Sequence, residues 1–281
     1  MTIDVIDPPP RDSDALRCFL RQTGIDPSAP RGELLEQVGA AFSRMPYENL
    51  TKIVADDARP ASSDARRTPL EVLEDHAALG TGGTCFSLTA ALLHVLRGLG
   101  FAAEPILADR WYGANTHCAL IVEHESRTML LDPGYLIARP VPLPVSEPVR
   151  SCGALQEILL SPRGGGARVE LATVEGSAVS SRLTYRVEPA SPDAFLAAWD
   201  ASFSWDMMRY PVLTKATGAS QLYLQGCRLR VRTAAGVVRR ELSPEELPGV
   251  IAREFGLRAS VAQSALAILR RKGEAIGTRR A

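Results

Sequence analysis

Three residues in the first half of the chain have the types and spacing for thiol chemistry. Such chemistry needs a thiolate, a base that holds or takes its proton, and a third group that fixes the imidazole tautomer. Cys85 stands after Gly82, Gly83 and Thr84 in "GTGGTCFSLT", where apolar residues at helical spacing begin at once. A cysteine at a helix N-terminus meets the positive end of the helix dipole and free N–H groups, which lower its pKa. His117 opens the strand-like "THCALIVEH", and Asp132 closes the next one, "TMLLD". If these two pair as a hairpin, the loop length decides whether the side chains meet. A two-residue loop at 124–125 sets 117 opposite 132, with Cβ atoms ~4.5–5.5 Å apart. A four-residue loop at 124–127 makes Asp132 the diagonal neighbour of His117 on the same face, and a three-residue loop without a bulge separates them. Each residue also has an ordinary structural reading. Cys85 could fill a core, His117 could be a half-buried strand residue, and Asp132 before Pro-Gly could start a turn.

The elements that must position these residues fall into three stretches. Residues 12–100 read as mainly helical. Ala15, Leu16, Phe19 and Leu20 have helical spacing, as do Leu34, Leu35, Val38 and Phe42. Thr68 is an N-cap with Pro69 at the first helical position. Cys85, Leu88, Leu92, Leu96 and Leu99 form one stripe that Gly98 and Gly100 end. From Phe101 the period changes to short strands at "AEPILADRWY", "THCALIVEH", "TMLLDPGYL", "ARVELATV", "SRLTYRVEP" and "QGCRLRVRTAAGVVRREL". Two helical segments, "SPEELPGVIAREFGL" and "SVAQSALAILRRKGE", close the chain. Helices, then strands, then a mixed end point to segregated α and β units rather than alternating β-α-β.

Composition narrows the classes. With 32 basic and 32 acidic residues in 281, there is no basic excess of the kind a nucleic-acid binder shows. No apolar run approaches the ~20 residues of a membrane span, and "MTIDVIDPPPRDSD" does not read as a signal peptide. The five scattered cysteines include no C-x-x-C pair, so neither a disulfide framework nor a metal site is expected. A cytoplasmic protein with reduced thiols is the expectation.

The chain resembles the arylamine N-acetyltransferase family over most of its length. "MPYENLTKI" (45–53) is similar to that family's Pro-aromatic-Glu-Asn-Leu signature, and "GGTCFSLTAALLHVLRGLGF" (82–101) to its Gly-Gly-x-Cys-Phe nucleophile segment. "THCALIV" and "LLDPGYL" match the histidine and aspartate segments in order, and "LTYRVEP" and "GCRLRVR…FGL" look like later pieces. The resemblance implies an α+β fold: an N-terminal helical bundle (1–100), a central antiparallel β-barrel (101–200) and a C-terminal α/β lid (201–281). It implies Cys85 as nucleophile, His117 as base and Asp132 as orienting acid, with Thr84, Phe86 and Tyr135 as substrate-binding candidates. The implied reaction is ping-pong: Cys85 takes an acyl group from acetyl-CoA or another acyl thioester, and an arylamine or hydrazine nitrogen then attacks. No metal is implied. Two alternatives share the triad: an amide synthase drawing acyl chains from a carrier protein, and a transglutaminase-like cysteine hydrolase.

The chain departs from the family at identifiable points. Family members commonly have Arg before Gly-Gly and Glu after Cys-Phe, where this chain has Thr81 and Ser87. The usual Asp-Val-Gly-Phe-Gly reads Asp132-Pro-Gly-Tyr-Leu. The expected effect is loss of an ion pair beside the triad and a changed pocket wall. Pro46-Tyr47-Glu48-Asn49 is read as a buried anchoring turn, Trp111 and Tyr112 as pocket aromatics or core, and Cys118 as facing away from His117.

Overall fold

The computed structural model describes residues 6, 9, 11–59, 61–135, 137–152, 157–274 and 276. The first stretch is helical: α1 (Asp14–Thr23), α2 (Arg31–Phe42), α3 (Leu50–Ala58), α4 (Ser62–Ala65), α5 (Pro69–Leu79) and α6 (Cys85–Gly98). The local chemistry explains the ends. Thr68 Oγ1 accepts from the Glu71 N–H while the Glu71 carboxylate accepts from the Thr68 N–H, a reciprocal capping box with Pro69 just inside. Helix α6 buries almost every side chain, Cys85 through Leu93 included. It is therefore the axis of the helical core rather than a surface helix.

A two-residue strand, β1 (Tyr47–Glu48), interrupts the helices. Strands β2 (Ala103–Arg110), β3 (Gly113–His124), β4 (Arg127–Asp132), β5 (Ile137–Pro142), β6 (Val149–Cys152), β7 (Glu157–Arg163), β8 (Arg168–Glu175) and β9 (Ala178–Arg186) follow. They form one antiparallel sheet in the order β5-β4-β3-β2-β9-β8-β7-β6, curled nearly into a barrel. After it come α7 (Pro192–Ala201), strands β10 (Val212–Ala216), β11 (Ser220–Gln225), β12 (Arg228–Thr233) and β13 (Gly236–Glu241), then α8 (Leu247–Val250) and α9 (Ala259–Arg271). The α+β class with helices, an antiparallel barrel and a mixed C-terminal part is the observed architecture.

Three cores hold these layers. One joins α1, α2, α5 and α6 to the helix-facing side of β2–β4, another fills the barrel, and a third packs β10–β12 against α8 and α9. Sequence order does not follow the cores. Leu50 and Ile53 of α3 belong to the C-terminal core. Phe195 and Trp199 of α7, a helix inside a stretch expected to be β, belong to the helical one. Strand β1 pairs with β10 to complete the order β1-β10-β11-β12-β13, so the "PYE" segment ties the helical region to the C-terminal sheet.

Candidate active site

The hairpin of β3 and β4 sets the register that brings His117 and Asp132 together. Glu125 and Ser126 both have positive φ (48° and 62°), the signature of a tight two-residue hairpin turn. His124 then pairs with Arg127 and Leu120 with Leu131, so position i faces 251 − i. This is the register of the four-residue alternative, reached with a shorter turn one residue further on. Asp132 becomes the diagonal same-face neighbour of His117, and Asp132 Oδ2 lies 2.6 Å from His117 Nε2. Both side chains are fully buried.

Asp132 is held from three sides. His117 Nε2–H donates to Oδ2, the Tyr185 hydroxyl donates to the same oxygen at 2.6 Å, and the Tyr135 N–H donates to Oδ1 at 2.8 Å. Three donors converging on one carboxyl suit its anion. Ala108 sits between Tyr185 and His117 in the strand register, a small residue flanked by two large rings whose centroids are 6.4 Å apart. Tyr135, a substrate-binding candidate, touches the site through its backbone.

Cys85 reaches this pair from the helical core. Its N-cap, Thr84, is extended (φ −84°, ψ 174°) and buried, and makes no side-chain cap bond. Cys118 and His117 are the neighbours that act most strongly on the Cys85 sulfur. Cys118 does face the helical core, opposite to the barrel side that His117 occupies, yet Cys85 at the helix tip meets both. Cys118, with the nearby His117 and Arg110, outweighs burial and holds the Cys85 thiol well below its ordinary range. Burial, with the negative sulfur beside it, pushes Cys118 well up, so of the two thiols Cys118 is the one that keeps its proton. Burial would lower His117, but Asp132 and Cys85 outweigh it and raise the imidazole to about 9. The arrangement favours a thiolate beside an imidazolium.

Phe86 points elsewhere. It is fully buried, with its ring against Phe195, Trp199 and Trp205 at centroid distances of 5.4, 6.1 and 6.2 Å. That packing makes Phe86 an anchor that fixes the residue before it. Trp111 is 92 % exposed at the β2–β3 turn, and Tyr112 beside it is half exposed.

The loop before Cys85 is clamped from several directions. The Glu48 N–H donates to the Gly83 carbonyl at 2.9 Å, and a Cβ on Gly82 would lie 1.8 Å from the Pro46 carbonyl oxygen. Only glycine fits there. His76 Nδ1–H donates to the Thr81 carbonyl at 2.7 Å. Asn49 donates to the Met207 and Tyr210 carbonyls and accepts from the Val212 N–H. These contacts make Pro46–Asn49 the anchoring turn that its sequence suggests. Arg67 is buried, donates to the Gly82 carbonyl (2.7 Å) and to Thr51 Oγ1 (3.0 Å), and pairs with Asp75. Thr51 in turn donates to Glu48 at 2.6 Å. The nearby cavity of about 360 Å³ that Thr51, Arg67 and Ser260 line lies behind this clamp and does not include the triad.

Several site residues escape a reading of the sequence. Gly134 packs directly against Cys85: a Cβ there would lie 2.7 Å from Cys85 Cβ, 2.9 Å from its Cα and 3.1 Å from His117 Cε1. Arg110 places Nη2 3.2 Å from His117 Nδ1. Lys52, also buried, donates to Ser202 Oγ and lies 4.3 Å from the centre of the Phe203 ring. Burial lowers it to about 7 against the opposing pull of Cys85 and Asp56.

A family model described as N-acetyltransferase matches residues 33–264. The chain belongs to the arylamine N-acetyltransferase family. Solved arylamine N-acetyltransferases share its fold. That of Mycobacterium abscessus has a TM-score of 0.77 at 21 % identity, covering 91 % of this chain and 94 % of its own. That of Nocardia farcinica has 0.73 at 22 %, covering 92 % and 96 %. A Bacillus cereus relative described as having a unique Cys-His-Glu catalytic triad has 0.70 at 15 %, covering 88 % and 99 %. A search of curated protein sequences finds no match. Among the described residues, no helix of this family member is long and apolar enough to cross a membrane.

Proposed function

We propose that this N-acetyltransferase moves an acyl group, acetyl from acetyl-CoA in the first instance, through a Cys85 thioester onto an arylamine or hydrazine nitrogen. The observation that supports this reading is the buried meeting of the Cys85 sulfur, His117 and Asp132. The Cys85 thiolate attacks the donor's thioester carbonyl, and the C–S bond to CoA breaks. The departing CoA thiolate takes the proton from His117 Nδ1, leaving a neutral imidazole whose Nε2–H stays on Asp132. In the second half-reaction that imidazole accepts a proton from the attacking amine, and Cys85 leaves as thiolate. Thioester exchange needs little activation beyond a good thiolate, which the neighbours of Cys85 supply.

The test is intact mass after mixing the protein with a panel of acyl-CoAs, wild type beside Cys85→Ala. One acyl group on wild type and none on the variant is the expected result, and the preferred chain names the donor. Equal labelling of both proteins would refute Cys85 as the nucleophile. Rapid iodoacetamide labelling of Cys85 without acylation by any acyl-CoA would refute CoA as the donor.

A further inference from the structure

Arg110 is a cation that the three-residue mechanism does not use. It ends β2 at a bulge, turned toward His117. Its Nη2 is 3.2 Å from His117 Nδ1, the imidazole nitrogen that Asp132 does not occupy. Among the described residues no carboxylate lies within ion-pairing distance of this guanidinium, and its Nε–H is buried without a partner. Arg110 is partly buried, and withdrawing a guanidinium from water without a close counter-ion is costly, so an anion at the site offsets it. The charged and titratable groups that act on it are Tyr112, Tyr47, Cys85 and Asp132. Of the two acids, Asp132 is already occupied by Tyr185, Tyr135 and His117. The anion left is the Cys85 sulfur.

We propose that Arg110 is a positioning residue that supplies the second cation of the site, holding Cys85 as a thiolate in the free enzyme and Nδ1 of His117 as an acceptor in the acyl-enzyme. This rests on Cys85 being the nucleophile. In the free enzyme two anions, Cys85 and Asp132, face two cations, His117 and Arg110. Acylation turns the thiolate into a neutral thioester, and His117 gives its proton to the departing thiolate. One anion, Asp132, then faces one cation, Arg110. The buried set is neutral before and after, whereas without Arg110 it would carry a net negative charge at both stages. Nη2–H can donate to Nδ1 only once that nitrogen is unprotonated, which fixes the tautomer that receives the amine's proton. Arg110 acts in this sense on both partners, favouring the Cys85 anion and opposing the imidazolium. The other groups facing Cys85 are Tyr47 from β1, Lys52 from α3, Tyr112 from the β2–β3 turn and Cys118 beside His117 on β3.

The experiment is the pH dependence of Cys85 alkylation in wild type, Arg110→Gln and Arg110→Lys, with Cys85→Ala subtracting background. Both neutral iodoacetamide and anionic iodoacetate are used. An opposite charge within about 4–6 Å moves a pKa by about 1–3 units. The thiolate midpoint should therefore rise by at least about one pH unit in Arg110→Gln and return toward wild type in Arg110→Lys. The iodoacetate-to-iodoacetamide rate ratio should fall and recover in parallel. A folded Arg110→Gln with the wild-type midpoint and ratio would overturn the role of Arg110 while leaving the nucleophile intact. If Arg110→Gln does not fold, the wild-type ratio decides. A ratio above that of a small thiol of equal pKa supports the unpaired cation, and one below it overturns the proposal. A wild-type Cys85 that resists iodoacetamide at neutral pH would instead remove the thiolate, and with it the functional reading.

Discussion

Replacing Gly134 by alanine adds one methyl group where the structure has no room. The new Cβ would lie 2.7 Å from Cys85 Cβ and 2.9 Å from Cys85 Cα, with His117 Cε1 at 3.1 Å on its other side. Carbon atoms rest at about 3.5–4.0 Å, so relief needs a movement of roughly 1 Å. The groups in the way are the first backbone turn of α6 and a ring locked by Asp132, and neither yields cheaply. Overpacking of this kind costs about 1–3 kcal/mol. A displacement of about 1 Å at reacting atoms costs on the order of 100-fold in rate. The assay pairs single-turnover acylation of Cys85 with thermal melting, using Gly249→Ala as control. At Gly249 an added Cβ meets nothing within 4 Å. Gly134→Ala should acylate about 100-fold more slowly and melt several degrees lower, while the control keeps its acylation rate and melts no lower than wild type. Wild-type acylation in a Gly134→Ala protein of unchanged melting temperature would show that the Pro133–Tyr135 turn does not press on the nucleophile.

Two further outcomes follow from the titrating groups. Acylation by a thioester should fall as pH drops through the lowered Cys85 pKa, and again as pH rises through about 9, where His117 loses the proton it gives to the leaving group. Alkylation by iodoacetamide, which needs no such proton, should keep its plateau above 9, and a parallel decline of both would contradict these roles. Lys52 has a folded pKa of about 7 against 10.5 for an ordinary lysine. Between those values the unfolded chain binds more protons, so this group makes stability rise with pH by up to about 5 kcal/mol. Denaturant unfolding of Lys52→Met should lack that rise and show the largest gain over wild type near pH 6; equal pH slopes in the two proteins would refute it.

Much of the site could be read from the chain because local signals carried it. The Gly82-Gly83-Thr84-Cys85 entry, the Thr68–Pro69 cap and the alternation around His117 and Asp132 each involve neighbours within a few positions. The hairpin register needed only the turn length, and the positive-φ pair at Glu125 and Ser126 settles it. What stayed hidden depends on contacts between distant segments. Tyr185 reaches Asp132 across 53 positions, and Arg67 reaches the loop before Cys85 only because α3, α5 and that loop meet. Strand β5 and the helix α7 lacked a clear period in a Pro-rich stretch and in a short Ala-rich one, and packing decided them. Gly134 looked like half of a Pro-Gly turn; its need for a missing Cβ belongs to α6, 49 positions earlier (134 against 85).

The sulfur and the groups that sharpen it come from different layers: Cys85 from the helical core, and His117, Asp132 and Tyr185 from the barrel side of the sheet, with Arg110 at the end of β2. A nascent or partly opened chain in which barrel and helices have not met carries five unremarkable thiols. Chemical potency is therefore withheld until assembly is complete. A single electrophile that labels one cysteine quickly would then serve as a gauge of tertiary docking, going silent when the two layers part even while each keeps its own secondary structure.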